Sequence, residues 1–439
     1  MAEVSENWAL VIRSRSFILG TAFLSVLFLI FFWESSDLAT GQLFFGILFL
    51  LLLGGFFMYI YTPPLIRGGR ELLTGAGWRM LPPIGVSIVF TVYRVINPVS
   101  TEPLVTLFQI TACFIFVLTP SLLYSSFPNL TKNGLSIIDI ISVLWVWMPI
   151  EFGAVEDFIG KVEIGIVPFE TLLALFALMY ALIFIRNHDL GLTFAITIED
   201  LITVGKATAA LIFIILPLGM LSYFLGTPDV IIANFLAILE GIPDSLIDAI
   251  LTFVLIFLVI ALTEEMLFRG VIQKLVEERF KEDSFSSNWW YGGLLALVVL
   301  IIITPWVDNV LQALSERFPV VTYLRDTIGS MADPLGVNEG KAWPLVENVP
   351  IELLYVAIAI ILGVAGLVLI YKTRDPVIAA LVLSSILFGW AHFEDVRYLF
   401  FASIAGYAYG WTYWKTEKIV PAALVHMLVD GVWSLLLSF

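Results

Sequence analysis

Charged side chains are scarce in this chain of 439 residues: only 13% are Asp, Glu, Lys or Arg, about half the share of soluble proteins. Hydrophobic residues make up 60% of the sequence, and the mean hydropathy is +0.99. This composition excludes an ordinary soluble protein, because so little polar surface cannot cover a globular domain. It indicates a protein that crosses a membrane several times.

Cysteine and histidine are also rare. The single cysteine, Cys113, lies in an apolar run, so no internal disulfide can form. The net charge of −15 makes nucleic acid an unsuitable partner, and we expect none. Of the three histidines, His188 lies in a polar loop, where an ordinary surface residue is expected, whereas His392 and His426 lie inside apolar runs.

Several well-known catalytic motifs are absent. The sequence has no His-Glu-x-x-His zinc helix, no Gly-x-Ser-x-Gly elbow and no P-loop. It also lacks the Gly-x-Gly-Asp of aspartyl intramembrane proteases and a rhomboid-like Gly-x-Ser-Gly. No serine or cysteine has the context of a nucleophile, which disfavours covalent acyl-enzyme chemistry.

Apolar runs that approach the ~20 residues of a spanning helix dominate what is present. About thirteen such runs can be counted: 16–33, 42–61, 80–96, 104–124, 137–150, 168–186, 207–225, 246–268, 289–304, 351–371, 376–393, 397–414 and 419–438. Pro82-Pro83, in the third run, suits a first helical turn better than a helix interior. The sequence therefore predicts an all-α polytopic membrane protein with about 13 transmembrane helices.

The loops between these runs alternate in charge. Basic loops alternate with acidic ones, so the positive-inside rule places the N-terminus in the cytoplasm and the C-terminus outside. Arg13 and Arg15 precede the first run without a small-residue cleavage site after it, which indicates a retained span. Val307 to Phe318 fits a helix lying at the membrane interface. We expect a multi-pass protein of the cell membrane.

Two adjacent carboxylates next to a long uncharged run are the most informative feature. Glu264 and Glu265 follow the charge-free run from Ala249 to Leu262, and ionisable groups in such a setting indicate a functional site. Arg269 lies four residues after Glu265, so the two can pair on a helix. Glu264 points about 100° away and stays available for other work. The alternative is that the helix reaches the membrane interface at Leu262 and that the charged residues after it are merely solvated.

The two membrane histidines extend this set. His426 and Asp430 are four residues apart and share a helix face, although such a pair can also serve as structural hydrogen bonding between helices. Together with His392 and the glutamates, the pair suits hydrolysis. A desolvated glutamate can act as general base toward water, and an imidazole can stabilise an oxyanion. The same atoms could also bind a metal ion such as zinc, and that alternative stays open.

Three short motifs then carry a resemblance. The sequence resembles the CAAX protease and bacteriocin-processing family, also called the Abi or Ras-converting-endopeptidase-like family. That family's signatures are read here as Glu264-Glu265-x-x-x-Arg269, Phe388-x-x-x-His392 and His426-x-x-x-Asp430. The resemblance covers roughly residues 205–281 and 375–439. Each motif is weak alone, but the three occur in the family's order and in apolar surroundings.

The resemblance implies a role for each matching residue. Glu264 would be the general base, His392 its partner in activating water, and His426 with Asp430 the pair that stabilises the oxyanion. Three further positions would support the site: Glu265, Arg269 and Phe388. We expect no cofactor; the alternative is a metal-dependent protease that uses Glu264, His392 and His426 as zinc ligands.

The motifs also divide the chain. We predict an N-terminal helical region of unassigned role (1–204), a first part of the protease core (205–281), an insertion with two spans and an interfacial segment (282–374), and a second part of the core (375–439). The core would be a conical helical bundle. Glu264 can reach the depth of His392 only if its helix continues through Phe280, so we predict that long helix.

The resemblance implies an intramembrane CAAX-type endopeptidase. Its partners would be the lipid bilayer and a membrane-associated peptide or lipid-modified protein, which it would cut with a glutamate-activated water. A transporter or proton relay is the first alternative, because buried Glu, His and Asp chains also carry protons. A binding protein that uses the same pocket for a membrane partner is the second.

Overall fold

The structure is a computed structural model that describes residues 15–34, 40–60, 62–73, 76–98, 102–130, 134–151, 155, 159, 169–221, 250, 252–282, 364, 366, 368–392 and 396–434. Within these ranges every regular element is a helix, which confirms the predicted all-helical class. The chain divides into two compact units, Met1–Ile196 and Thr197–Phe439.

The described part of the first unit contains seven helices. They are α1 (Arg15–Glu34), α2 (Thr40–Phe49, continuing through a π-helical turn at Leu50–Gly54 into Gly55–Tyr59), α3 (Pro63–Leu72), α4 (Ala76–Ile96), α5 (Pro103–Ser126), α6 (Ile137–Glu151) and α7 (Phe169–Tyr180, continuing through a π-helical turn at Ala181–Ile185). Helix α5 packs against α4, α6 and α7. Where α2 meets α4, Phe49, Phe90 and Tyr93 are in mutual ring contact.

The described part of the second unit includes five helices with assigned bounds, besides a helical stretch at 368–373. They are α8 (Ile198–Leu221), α9 (the consecutive segments Ile256–Ala261, Leu262–Glu265, Met266–Gln273 and Lys274–Glu282), α10 (Pro376–Trp390), α11 (Val396–Thr416) and α12 (Ile419–Val432). Helices α10 and α11 form the most extensive contact, and α8 packs against both α11 and α12. Helix α9 packs against α10 and α12, so the candidate motifs share one bundle.

Three described helices are long and apolar enough to cross a membrane: Gly77–Ile96, Pro103–Ser126 and Ile198–Gly219. Shorter apolar helices occur at Phe17–Val26, Gly41–Phe57, Ile137–Ile150, Phe169–Ile185, Pro376–Trp390 and Ile419–Val432. An integral membrane protein is therefore confirmed, whereas the count of about thirteen spans stays a prediction. The predicted span 289–304 and the interfacial helix at 307–318 lie outside the described residues, as does most of 351–371.

The expectation for Pro82-Pro83 was wrong. Helix α4 begins at Ala76, so both prolines lie in its interior. A proline has no N–H, so Pro83 leaves the carbonyl of Arg79, four residues earlier, without its helical donor. The hydroxyl of Tyr180 on α7 donates to that carbonyl at 2.8 Å. A partner from a distant helix thus supplies the hydrogen bond that the local sequence removes.

Removing the Tyr180 hydroxyl should therefore weaken the first unit. We expect Tyr180→Phe to lower the free energy of unfolding by about 1–2 kcal/mol, because the carbonyl of Arg79 loses its buried donor. Thermal unfolding of the purified protein in detergent measures the change. Tyr59→Phe is the control, since its hydroxyl meets only the Thr21 hydroxyl at an exposed site. Equal losses in the two variants would contradict this account.

His188 was expected at the surface and is buried instead, with 5% of its area exposed. The chain turns back after α7 at Asn187, whose φ of 60° is left-handed, and the His188 N–H donates to the carbonyl of Leu182. His188 Nδ1 lies 3.2 Å from a guanidinium nitrogen of Arg186, whose Nε lies 2.7 Å from Asp139. The residues predicted to form a polar surface loop thus lie buried at the end of α7, next to the ion pair of Arg186 and Asp139.

Helix α8 begins nine residues before the apolar run that predicted it. Thr197 and Asp200 form a reciprocal cap: the Thr197 N–H donates to Asp200 at 2.7 Å, and the Asp200 N–H donates to the Thr197 hydroxyl at 3.2 Å. Lys418 also reaches Asp200, with 2.7 Å between Nζ and Oδ2. The polar first turn is thereby stabilised, and its ion pair ties the start of α8 to the residue before α12.

Candidate active site

Helix α9 carries the paired glutamates without interruption. Its segments run from Ile256 to Glu282, so the predicted continuation through Phe280 is confirmed. The ordinary α-helical turn Leu262–Glu265 lies between two π-helical segments, Ile256–Ala261 and Met266–Gln273. Short π-helical segments are rare in proteins, and many of those that occur lie at functional sites. Here they change the direction of the side chains immediately before and after the glutamates.

The two adjacent glutamates lie in opposite environments. The side chain of Glu265 is fully buried and its Oε2 lies 2.9 Å from Nε of Arg269, which is also fully buried. The side chain of Glu264 keeps 32% of its area exposed. The predicted pair between Glu265 and Arg269 is therefore present, and Glu264 is the more exposed of the two carboxylates.

His426 on α12 connects both glutamates. Its Nδ1 lies 3.0 Å from Oε1 of Glu265, and its Nε2 lies 3.1 Å from Oδ2 of Asp430. Its Nε2 is also 3.9 Å from Oε2 of Glu264. The Asp430 side chain is 33% exposed, so Glu264 and Asp430 form a water-accessible edge, whereas the imidazole between them is buried.

Phe388 on α10 lies between the two membrane histidines. Its ring centroid is 5.0 Å from that of His392 and 5.5 Å from that of His426. It also meets Phe268 edge to face at 5.0 Å, and the Arg269 guanidinium lies 5.3 Å from its centroid. The histidines of the second and third motifs are thus both in contact with one aromatic ring.

His392 follows the last residue of α10 and is partly buried. Its Nδ1 lies 2.8 Å from the carbonyl oxygen of Phe388, which can accept a hydrogen bond only from a protonated Nδ1. The Nε2 atom then carries the lone pair, as a partner in activating water requires. The ring of Tyr398 meets it edge to face, with 4.6 Å between centroids. All four predicted catalytic residues and the three supporting ones therefore belong to a single cluster.

Sequence reasoning missed several members of this cluster. Ser384 and Gln273 are fully buried and lie within hydrogen-bond distance of each other, and Ser384 also accepts from Arg269. Tyr409 stacks on His426 with 4.6 Å between centroids and 14° between planes. The available signal was polarity: Ser384 and Gln273 are polar residues that lie among apolar ones, which marks hydrogen bonding between membrane helices.

Close helix approach makes the cluster possible. Gly389, Gly406 and Gly410 lie where α10 and α11 meet, and a Cβ added at Gly406 would lie 3.1 Å from Phe388. Small residues of this kind let membrane helices pack backbone to backbone. Without that approach, α11 could not place Tyr409 against His426.

The described residues form no ready-made zinc site, and metal independence stays a prediction. Among the described side chains, no group of three or more His, Cys, Asp or Glu is arranged to hold a metal ion. Both ring nitrogens of His426 face carboxylate oxygens at hydrogen-bond distance, so neither presents a lone pair to a metal. The mechanism below therefore has no metal-dependent step.

Comparison with known proteins adds one finding. A family model described as Rce1-like, type II CAAX prenyl endopeptidase, matches residues 246–432. The match contains all three motifs and runs through the region of the predicted insertion, but it does not include residues 205–245. No curated protein and no solved structure matches the chain.

Proposed function

Because residues 246–432 belong to the Rce1-like family of type II CAAX prenyl endopeptidases, we propose that the chain is an intramembrane endopeptidase in which Glu264 activates water. Family membership implies a protease, and the apolar helices make it a membrane protease. The catalytic residues of the proposal are Glu264, His392, His426 and Asp430. It requires neither zinc nor another cofactor.

The contrast between Glu264 and Glu265 is the observation that carries this proposal. A general base must reach water, and the Glu264 side chain is one-third exposed while that of Glu265 is fully buried in its pair with Arg269. Glu265 already accepts from Arg269 and lies at hydrogen-bond distance from His426, so its two oxygens are occupied. This division supports one glutamate for chemistry and the other for holding the site.

Hydrolysis would proceed by addition and elimination. Glu264 accepts a proton from water while the water oxygen bonds to the scissile carbonyl carbon, and the C=O electron pair moves onto oxygen. An N–H of His426 donates to that oxyanion, and Asp430 orients the imidazole. The proton held by Glu264 then passes to the leaving nitrogen as the C–N bond breaks. The products are a carboxylic acid and an amine, and His392 orients the attacking water.

The family name suggests the substrate class. We propose that the chain cleaves a prenylated protein that is anchored in the bilayer, close to its lipid-modified end. The alternating charge of the loops favours an orientation with the N-terminus on the cytoplasmic side of a cell membrane. Residues 1–204 would form a separate helical region, and 282–374 an insertion between the two parts of the core.

Cleavage of a prenylated peptide by the purified protein tests the proposal. We expect a fluorogenic peptide with a farnesylated cysteine near its C-terminus to be cut, and the same peptide without the farnesyl group to be cut poorly. Cleavage should persist when a chelator such as EDTA is added. Loss of cleavage with chelator and its recovery with zinc would replace this mechanism with a metal-dependent one. A folded protein that cuts no peptide would favour transport or binding.

A further inference from the structure

A chain of buried hydrogen bonds connects α9, α10 and α11, and it reaches His426 on α12 through Glu265. Gln273 Nε2 on α9 donates to the carbonyl of Gly410 on α11 at 3.1 Å. The Ser384 hydroxyl on α10 donates to Gln273 Oε1 at 3.2 Å, and Arg269 Nη1 donates to Ser384 at 3.0 Å. All three side chains are fully buried. Arg269 in turn donates to Glu265.

The groups at the two ends of this hydrogen-bond chain determine which atom donates and which accepts along it. A guanidinium can only donate and a carbonyl can only accept, so Arg269 and the Gly410 carbonyl set the polarity. The Ser384 hydroxyl must use a lone pair for Arg269, which leaves its hydrogen for Gln273 Oε1 or for the Leu381 carbonyl, each at 3.2 Å. The Gln273 amide must then direct its oxygen toward Ser384 and its nitrogen toward α11. No member can be reversed without leaving a buried group unpaired.

These hydrogen bonds also determine that one nitrogen of His426, Nδ1, is protonated. Glu265, paired with Arg269, is an acceptor at both oxygens, and its Oε1 lies 3.0 Å from His426 Nδ1. That nitrogen must therefore carry a hydrogen. His426 then presents its Nε2 to the exposed edge, where Asp430 and Glu264 lie. The hydrogen-bond chain thus keeps Nδ1 protonated and determines the orientation of the ring.

We infer that Ser384 and Gln273 are positioning residues: acting through Arg269 and Glu265, they hold His426 with its Nδ1 protonated and its Nε2 directed at the reacting edge. Gly410 supports this assignment independently. A Cβ there would lie 2.7 Å from Gln273 Oε1 and 3.3 Å from Arg269 Nη1, so the glycine leaves the room that the chain occupies.

This inference rests on the proposed function and predicts a specific kinetic result. Ser384→Ala should lower kcat about tenfold with KM unchanged, because a misdirected ring stabilises the transition state less and binds substrate equally well. Ser385→Ala is the matched control. Ser385 is the neighbouring buried serine, and its hydroxyl donates only to the Leu381 carbonyl of its own helix. Gln273→Met should reproduce the Ser384→Ala result, and Ser384→Thr should restore kcat.

The outcomes separate this role from a structural one. Ser384→Ala should unfold at a lower temperature than Ser385→Ala, because it leaves Arg269 and Gln273 each without a buried partner, so kcat is compared at a temperature where both variants are folded. A kcat loss in Ser384→Ala no larger than in Ser385→Ala, with the wild type active and Glu264→Gln inactive, would overturn the positioning role and leave the proposed function intact.

A second readout needs no activity. The chain has three histidines, so protein with ¹⁵N-labelled histidine gives few ring signals, which His188→Gln and His392→Gln assign by subtraction. We expect the Nδ1 of His426 to give the signal of a protonated nitrogen in the wild type and in Ser385→Ala. In Ser384→Ala part of this signal should move to that of an unprotonated nitrogen, because Glu265 then holds the Nδ1 proton less firmly. An unprotonated Nδ1 in the wild type would refute the inference, whatever the peptide assay shows.

Discussion

Glu264→Gln abolishes peptide hydrolysis in our expectation, with kcat reduced by about 10²–10⁴ and KM nearly unchanged. An amide has almost the same shape as the carboxylate but cannot accept a proton from water. The Glu264 side chain is one-third exposed, so the change leaves no charge buried and unpaired and the fold should persist. Steady-state cleavage of the farnesylated peptide, with protein matched by its unfolding temperature, measures the loss.

Glu277→Gln is the control for this variant. Glu277 lies on the same helix, pairs with Lys281 near the surface, and has no contact with the described histidines. It should cleave at the wild-type rate. A Glu264→Gln protein that keeps activity within about tenfold of the wild type would remove Glu264 as general base, because a base contributes at least ~10²-fold.

Arg269→Met should have the largest effect on stability. Arg269 and Glu265 are both fully buried, so removing the guanidinium leaves a carboxylate without its cation, and its partner Ser384 without a donor. Breaking a buried ion pair in this way costs about 3–5 kcal/mol. We expect a loss of that size in the free energy of unfolding, measured by denaturation in mixed micelles. Activity should also fall, because Glu265 then no longer holds His426 firmly.

The same helix supplies a matched pair for comparison. Glu277 and Lys281 have the same spacing of four residues, but the Lys281 side chain is 58% exposed. Lys281→Met should cost less than about 1 kcal/mol, since exposed ion pairs contribute little. The double variant Glu265→Gln with Arg269→Met removes both charges of the buried pair. It should recover part of the free energy of unfolding that Arg269→Met loses. Equal costs for Arg269→Met and Lys281→Met would show that burial does not decide this pair's contribution.

Some features that tertiary structure revealed were already encoded locally and were overlooked. The cap of α8 by Thr197 and Asp200 follows a known sequence pattern, a hydroxyl residue three positions before an acid. Counting hydropathy alone placed the helix start later, because the polar first turn lowers the average. Ser384 and Gln273, as polar residues among apolar ones, were similarly readable as hydrogen-bonding positions, although not which partners they take.

The sequence by itself determined the helical class and the pairs that lie one helical turn apart. Apolar runs predict helices because the backbone must satisfy its own hydrogen bonds in lipid. A spacing of four residues brings Glu265 to Arg269, and His426 to Asp430, whatever else the chain does. These contacts depend only on helix geometry, which local sequence controls.

Only the tertiary structure decided which glutamate is buried, which groups His426 faces, and how the interior prolines of α4 are tolerated. The spacing to Arg269 already assigned the ion pair to Glu265, but spacing alone does not say whether that pair is buried. Glu265 contacts His426 on α12, and its partner Arg269 contacts Ser384 on α10, both more than a hundred positions away in the chain. Burial and hydrogen-bond partners are set by whichever helices pack on a side chain, and periodicity does not contain that information.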